Sequence, residues 1–394
     1  MNHSTKGKEN VDFASVIIIQ EMMDQMAGVS TAEAALFARA AAGQIPINGS
    51  LELTPLCNMN CDMCYVRLDR EHMEAQGRLR KAEEWLEIAR QMKDAGVLFL
   101  LLTGGEPLTY PDFRKLYLAL RKMGMILTVN TNGTLLTEEL AEFFGKYKPR
   151  RINITLYGAD DTAYRRLCHY PGGFERTISA VRALRRHGVD VRLGASMTKM
   201  NSADLSAFFK IARELGVPLN VDTYMLPAVR EREKAFCGET RLSPKEAAAL
   251  RVMAMREEEG PENFEIVRSR ILAEVDRARA NPVPAKPRPM GCLAGKCSFT
   301  INWQGNIRPC VILSTPSVSV FEHGFEKAWR SMSESIGRVL LNGTCTACPL
   351  RSLCHTCAAS AELEAGAADQ IPEYMCQYTH ETERLLREEG KHDR

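Results

Sequence analysis

The chain has 394 residues, of which 45% are hydrophobic and 25% charged, and a net charge of +2. That is the make-up of an ordinary soluble globular protein, with no basic field to attract nucleic acid or an acidic membrane surface. No apolar run approaches the roughly 20 residues of a spanning helix, and Val16-Ile17-Ile18-Ile19 is cut short by Gln20-Glu21; neither a membrane span nor a secretory signal is expected, and the chain is placed in the cytoplasm.

Residues 1–49 read as an N-terminal extension: a polar start, the apolar stretch Val-Ile-Ile-Ile-Gln-Glu-Met-Met, then an Ala-rich helix from Ser30 to about Ala42. Ser30 with Glu33 fits a capping box, a hydroxyl and a carboxylate exchanging bonds with the first-turn amides. From 50 onward strand and helix alternate. Strands are predicted at Ser50–Thr54, Leu98–Thr103, Ile126–Asn130, Arg151–Tyr157, Val191–Met197 and Leu219–Tyr224. Helices are predicted near 80–95, 111–123, 137–147, 173–188 and 202–215, with Gly96, Gly124, Gly188 and Gly216 where helices should stop. Such alternation implies right-handed crossovers and a parallel sheet over 50–225. A bridge follows at 226–290: the charged run Arg230-Glu-Arg-Glu-Lys234, helices near 243–258 and 263–280, then Asn281-Pro-Val-Pro-Ala-Lys-Pro-Arg-Pro-Met290. Four prolines there cannot continue a helix or a central strand, so a boundary is drawn and 291–394 is read as a second domain.

Thirteen cysteines need a reason. In a cytosolic chain, metal or redox use is favoured over disulfides. Three fall at Cys57, Cys61 and Cys64; eight fall at Cys292, Cys297, Cys310, Cys345, Cys348, Cys354, Cys357 and Cys376. Cys168 and Cys237 stand alone and read as structural, and His355 as a bystander. A cubic iron–sulfur cluster usually takes four thiolates. Three close thiols with no fourth nearby suggest one iron left open to a ligand that is not protein; zinc or inert thiols are the other readings. The eight later thiols could close two four-cysteine clusters or two zinc sites.

Further motifs fall at strand ends, where parallel barrels carry chemistry. Leu102-Thr103-Gly104-Gly105-Glu106-Pro107 offers a close-approach backbone, a carboxylate for an ammonium group and a fixed turn. Asn130-Thr131-Asn132-Gly133 and Thr155-Leu156-Tyr157-Gly158 end the next two strands. Asp222 and Tyr224 end the sixth, facing substrate, with Asp222 either an acid/base or a structural residue.

The triplet C-x3-C-x2-C after a strand, followed one strand later by Gly-Gly-Glu-Pro, resembles the radical S-adenosylmethionine (SAM) enzymes. The resemblance implies an α/β fold, a partial (β/α)6 TIM-like barrel, and a [4Fe–4S] cluster on Cys57, Cys61 and Cys64 whose open iron chelates SAM. It implies one-electron cleavage of SAM to methionine and a 5′-deoxyadenosyl radical, with a reductant such as flavodoxin or ferredoxin as partner. It places SAM against Gly104, Gly105, Glu106, Pro107, Asn130 and Thr155, with Arg165 or Arg166 on the carboxylate unless these are solvated helix charges. The usual aromatic residue before the last cysteine is Met63 here, with Tyr65 one place after it, so Tyr65 is the aromatic candidate for the adenine.

The later cysteines, with Gly305 between Cys292 and Cys310, resemble the SPASM domain of peptide and protein maturases, and its C-terminal Cys-rich auxiliary clusters are expected. By that analogy Cys292, Cys297, Cys310 and Cys357 hold one [4Fe–4S] cluster, and Cys345, Cys348, Cys354 and Cys376 a second, three clusters in all. The expected function is a radical SAM oxidoreductase that modifies or crosslinks a side chain of a ribosomally made peptide. The alternatives are action on a small molecule, maturation of a sulfatase-like protein, and non-enzymatic Fe–S or zinc binding. Sulfatase maturation is less favoured because that subgroup carries Ser-Leu-Asp-Gly-Pro where this chain has Thr155-Leu-Tyr-Gly-Ala159.

Overall fold

The computed structural model describes residues 30–227, 240–354 and 356–392. The Val-Ile-Ile-Ile stretch, the charged run at 230–234, Cys237 and His355 lie outside them. Six strands, β1 (Asn48–Glu52), β2 (Phe99–Thr103), β3 (Ile126–Thr131), β4 (Arg151–Thr155), β5 (Val191–Ser196) and β6 (Leu219–Asp222), run parallel and side by side in chain order. Helices Ala82–Asp94, Phe113–Lys122, Glu138–Lys146, Gly173–Arg186 and Leu205–Leu215 make the crossovers. This is the partial (β/α)6 barrel expected. Strand side chains divide by face: Val129, Ile152, Ile154 and Leu193 are buried in the main core, while Asn130, Thr155 and Ser196 border the interior cavity. Each large apolar side chain so buried contributes about 1.5–3 kcal/mol. The helix Leu205–Leu215 stops at Gly216 in the left-handed region, φ 61°, where a side chain would be strained. The Ser30–Glu33 capping box is formed ahead of the helix Thr31–Ala42.

The chain after the proline-rich stretch was expected as a domain of its own, yet it extends the barrel sheet. Two short strands, β7 (Arg288–Pro289) and β11 (Leu340–Leu341), pair with each other. Between them β8 (Ser298–Ile301) pairs in parallel with β1, and β9 (Asn306–Arg308) and β10 (Val318–Ser319) follow antiparallel, giving the order β10-β9-β8-β1-β2-β3-β4-β5-β6. The open edge of a partial barrel presents unpaired backbone groups, and β8 satisfies them. A close approach makes this docking possible: a Cβ at Gly49 would sit 2.5 Å from the Phe299 ring.

The two helices predicted in the bridge form one long helix, Pro244–Ala280, kinked where Gly260 leaves helical dihedrals before Pro261. A C-terminal helix, Glu373–His392, unanticipated from sequence, lies along it with Phe264 and Leu386 buried between them. Glu383 there accepts from Arg279 at 2.5 and 2.7 Å and from Arg387 at 2.8 Å. No helix among the described residues is long and apolar enough to cross a membrane.

Candidate active site

The three thiols of the first group lie on the loop after β1. Its shape is set by backbone bonds: Leu68 N–H donates to Pro55 O (3.0 Å), Asn60 N–H to Cys168 O (3.1 Å) and Asp62 N–H to Leu167 O (2.9 Å). The loop thus rests on Leu167 and Cys168, just past the end of the short helix Asp161–Arg166. Two amides point at sulfur, Met59 N–H at Cys57 Sγ (3.4 Å) and Arg67 N–H at Cys64 Sγ (3.2 Å), and Asn132 Nδ2 lies 3.7 Å from Cys57 Sγ. Cys61 is buried in an apolar cluster with Cys168, Tyr157 and Tyr164.

Burial pushes the Cys57 thiol up to about 12. Cys61 is raised too, first by its bond to Cys168 and then by burial. A thiolate here therefore needs a metal to stabilise it. Among the described residues no three His, Cys, Asp or Glu side chains converge on the point a single ion would occupy. Three sulfurs on one loop, two already receiving backbone N–H groups, are a donor set that fits a cluster, whose ligands sit at separate corners and are tuned by such bonds.

The Gly-Gly-Glu-Pro turn is explained chiefly by the cysteine loop. A Cβ on Gly104 would fall 2.4 Å from Thr54 O, and one on Gly105 2.4 Å from Leu56 O. The turn instead bonds to that segment through Gly105 N–H to Thr54 O (2.7 Å) and Glu106 N–H to Leu56 O (2.9 Å). Gly104 and Gly105 border a cavity of about 590 Å³ that also touches Cys57, Cys61 and Cys64. Glu106, expected to meet a ligand's ammonium, is fully buried behind the cavity wall. Its carboxylate is occupied by Leu108 N–H (3.0 Å), Thr131 Oγ1 (2.8 Å) and Asn132 N–H (2.8 Å), pinning the end of β3 to the turn. Burial lifts its carboxyl from the usual 4.5 to about 7, against the pull of those donors. Pro107 is likewise buried, opening a short 3₁₀ turn.

Tyr65, Met63, Asn130, Thr155, Asp222 and Tyr224 all border the cavity, as their strand-end and loop positions predict. Asn130 Oδ1 accepts from Asn153 Nδ2 at 2.8 Å. Asp222 is exposed toward the cavity, and its carboxylate accepts from Tyr224 N–H at 3.0 Å. Arg165 and Arg166 are not brought in: both are exposed on the helix Asp161–Arg166, and Arg165 pairs with Asp161 one turn away at 2.7 Å. Their helix packs its apolar side, Ala163 and Tyr164, inward and leaves the basic side to water. The guanidinium at the cavity is Arg67, whose Nε is buried and has no hydrogen-bond partner among the described residues. Its place three residues after Cys64 is the signal that could have found it. Ser196, at the C-terminal end of β5, was equally open to the strand-end rule.

The opposite wall comes from the C-terminal part: Ile312, Cys357 and Ser360 border the same cavity. Cys357 caps the helix Ala358–Ala365 and its sulfur accepts from Ser360 N–H at 3.5 Å. Cys357 lies near enough to Cys292 and Cys310 for a charge on it to raise both thiols. Cys297 is buried under the N-terminal helix, with its thiol 3.9 Å from Phe37 O, and burial lifts it to about 12. Cys345, Cys348, Cys354 and Cys376 form the second neighbourhood, Cys376 arriving on the C-terminal helix. Barrel and C-terminal part are tied by Tyr224, whose hydroxyl donates to Glu364 Oε1 at 2.8 Å, and by Arg241, which pairs with Glu364 and stacks 3.8 Å over Tyr374.

Comparison with known proteins agrees with this geometry. Residues 51–215 match the Radical SAM superfamily. The AdoMet-dependent heme synthase of Methanosarcina barkeri is 25% identical over 330 residues, 80% of this chain and 92% of that protein. The subtilosin biosynthesis protein AlbA of Bacillus subtilis is 29% identical over 173 residues, 44% of this chain and 38% of its own. In structure the chain is similar to Streptococcus suis SuiB bound to precursor peptide SuiA, with TM-score 0.61 and 19% identity over 89% of this chain and 82% of that one. With its thiol triplet at the mouth of a partial barrel, residues 51–215 are a radical SAM domain, and the cysteine-bearing part closing the other side belongs to a fold shared with SuiB.

Proposed function

We propose that this enzyme oxidatively modifies or crosslinks a side chain of a ribosomally made peptide. The observation that carries the reading is a single cavity with Cys57, Cys61 and Cys64 on one wall and Cys357 on the other. When bound there, a [4Fe–4S] cluster with SAM supplies the electron that splits the sulfonium and yields a hydrogen-abstracting 5′-deoxyadenosyl radical. In this reading Arg67 offers its guanidinium to a carboxylate of SAM or substrate, and Asp222 stands at the cavity to take a proton. The parts at 291–394 carry two auxiliary clusters, the one beside Cys357 adjoining the substrate. A flavodoxin- or ferredoxin-type protein serves as reductant.

Two further observations support a peptide. The cavity of about 590 Å³ lies within the roughly 300–1,000 Å³ of single-ligand sites. Once SAM takes its share, one projecting side chain fits more readily than a macrocycle. The similar SuiB fold also accepts a precursor peptide. A small-molecule substrate is the second reading, favoured by the longer sequence match to heme synthases.

The test is anaerobic incubation of reconstituted enzyme with SAM and dithionite, with short peptides encoded beside its gene in one arm and an iron tetrapyrrole in the other. Peptide-dependent 5′-deoxyadenosine release and a two-hydrogen mass loss in the peptide are expected. Release stimulated by the tetrapyrrole alone overturns the peptide assignment.

A further inference from the structure

Glu364 lies outside the cavity yet holds two parts of its wall together. Its helix, Ala358–Ala365, begins at Cys357. Cys357 and Ser360 border the cavity, and Glu364 lies behind them. The Glu364 side chain is nearly buried, 8% exposed. Its carboxylate accepts from Tyr224 O–H at 2.8 Å on Oε1, from Arg241 Nη1 at 3.3 Å on Oε2, and from Arg241 Nη2 on Oε1. Arg241 is fixed in turn: its Nε donates to Met225 O at 2.8 Å, and its guanidinium lies 3.8 Å from the centre of the Tyr374 ring. The Tyr374 hydroxyl donates to Leu242 O at 2.8 Å, and its ring meets that of Tyr224 with centroids 5.7 Å apart. On the barrel side Tyr224 N–H donates to Asp222 Oδ1 at 3.0 Å. The residue whose hydroxyl Glu364 holds therefore also orients the carboxylate that faces the cavity. One nearly buried carboxylate thus ties the end of β6 to the helix that starts at Cys357. Removing it would leave the Arg241 charge without its partner in a packed seam.

We infer that Glu364 is a positioning residue that holds Asp222 and the Cys357 side of the cavity at a fixed separation, and that this spacing couples SAM cleavage to oxidation of the substrate. The inference rests on the peptide reading above. In that reading a substrate side chain loses two hydrogens. The 5′-deoxyadenosyl radical takes one as a hydrogen atom. The second leaves as a proton to Asp222 and an electron to the auxiliary cluster beside Cys357. Both acceptors must lie within reach of one substrate group, and Glu364 is the side chain that braces both. Gly104, Gly105, Asn130 and Thr155 border the cavity from the strand ends beside the thiol triplet and have no bond to this seam. Radical formation should therefore survive the loss of Glu364 while the oxidation that follows does not.

The experiment compares reconstituted wild-type, Glu364→Ala and Tyr224→Phe enzymes of equal iron content by two readouts. In amide exchange without peptide, residues 222–226 and 357–365 should exchange faster in both variants, while 126–131 on β3 stays as protected as in the wild type. In turnover with the peptide encoded beside the gene, 5′-deoxyadenosine release and the KM for SAM should hold. Modified peptide per 5′-deoxyadenosine should fall about tenfold or more in Glu364→Ala, as expected for an acceptor displaced by a fraction of an ångström to an ångström. The fall should be smaller in Tyr224→Phe, which deletes only the hydroxyl. If Glu364→Ala fails to load its clusters, Tyr224→Phe decides by the same two readouts. Unchanged exchange in both segments, or an unchanged yield of modified peptide per SAM cleaved, overturns the inference. A wild-type enzyme that modifies no peptide overturns instead the peptide reading, and the exchange readout still decides whether Glu364 braces the two segments.

Discussion

Glu106 shows how a motif residue can serve the site without touching a ligand. Three donors converge on its carboxylate in full burial, so it fixes the end of β3 relative to the glycine turn. Its titration has a definite sign. Between 4.5, where the unfolded chain ionises, and about 7, where the folded chain does, the unfolded state has lost a proton that the native state keeps. Stability from this residue therefore falls as pH rises through that window, by up to roughly 3 kcal/mol, and is flat above it. Glu106→Gln cannot ionise and turns an amide donor toward a donor. Below pH 4.5 it should be less stable than wild type by about 1–3 kcal/mol, and the gap should narrow as pH rises from 4.5 to about 7 and stay constant above. Urea midpoints of both proteins across the window check this; a gap that does not vary with pH would rule out the raised carboxyl. The same scale explains why Arg67 was overlooked. Sequence places basic residues on a loop or a helix, but only packing decides which side chain a cavity receives.

At the scale of elements, the pairing of Pro244–Ala280 with Glu373–His392 brings Cys376 to the cysteines at 345–354. Glu383 is nearly buried at that seam, its side chain 7% exposed, with Arg279 and Arg387 on it. Removing the carboxylate leaves two guanidinium groups facing each other at a packed interface. Glu383→Ala is expected to cost on the order of 2 kcal/mol and to loosen the C-terminal helix, seen as faster amide exchange in 373–392 than in the barrel strands. Uniform exchange with unchanged stability would show that apolar packing of Phe264 and Leu386 holds the seam alone. The addition of β8 to β1 is another element-level outcome. Ser298–Ile301 has the same short apolar signature as many strands, and which edge it joins depends on which edge is open.

For the whole molecule, the cluster assignment predicts about twelve iron and twelve sulfide per chain after anaerobic reconstitution, four for each of three clusters. Replacing Cys57, Cys61 and Cys64 together by Ala should leave about eight iron and abolish SAM cleavage. About four iron with bound zinc in the wild type would replace the auxiliary clusters by zinc sites, and retained cleavage in the triple variant would separate the first cluster from the chemistry. Cys297, turned toward Phe37 O, is the ligand to watch: a single Cys297→Ala that keeps the full iron count would take it out of the set.

The sequence by itself determined the barrel strands, the crossover helices and the chemistry of the thiol triplet. Alternating period-2 and period-3.6 patterns are local properties, and a cysteine spacing of a few residues is nearly a distance. What only the tertiary structure decided lies where the chain returns to itself between segments far apart in sequence: β8 closing on β1, Cys357 facing Cys57 across one cavity, Glu106 buried behind its wall and the arginines at 165 and 166 left outside. Those placements follow from competition for burial and for backbone partners among distant segments, which no local pattern encodes.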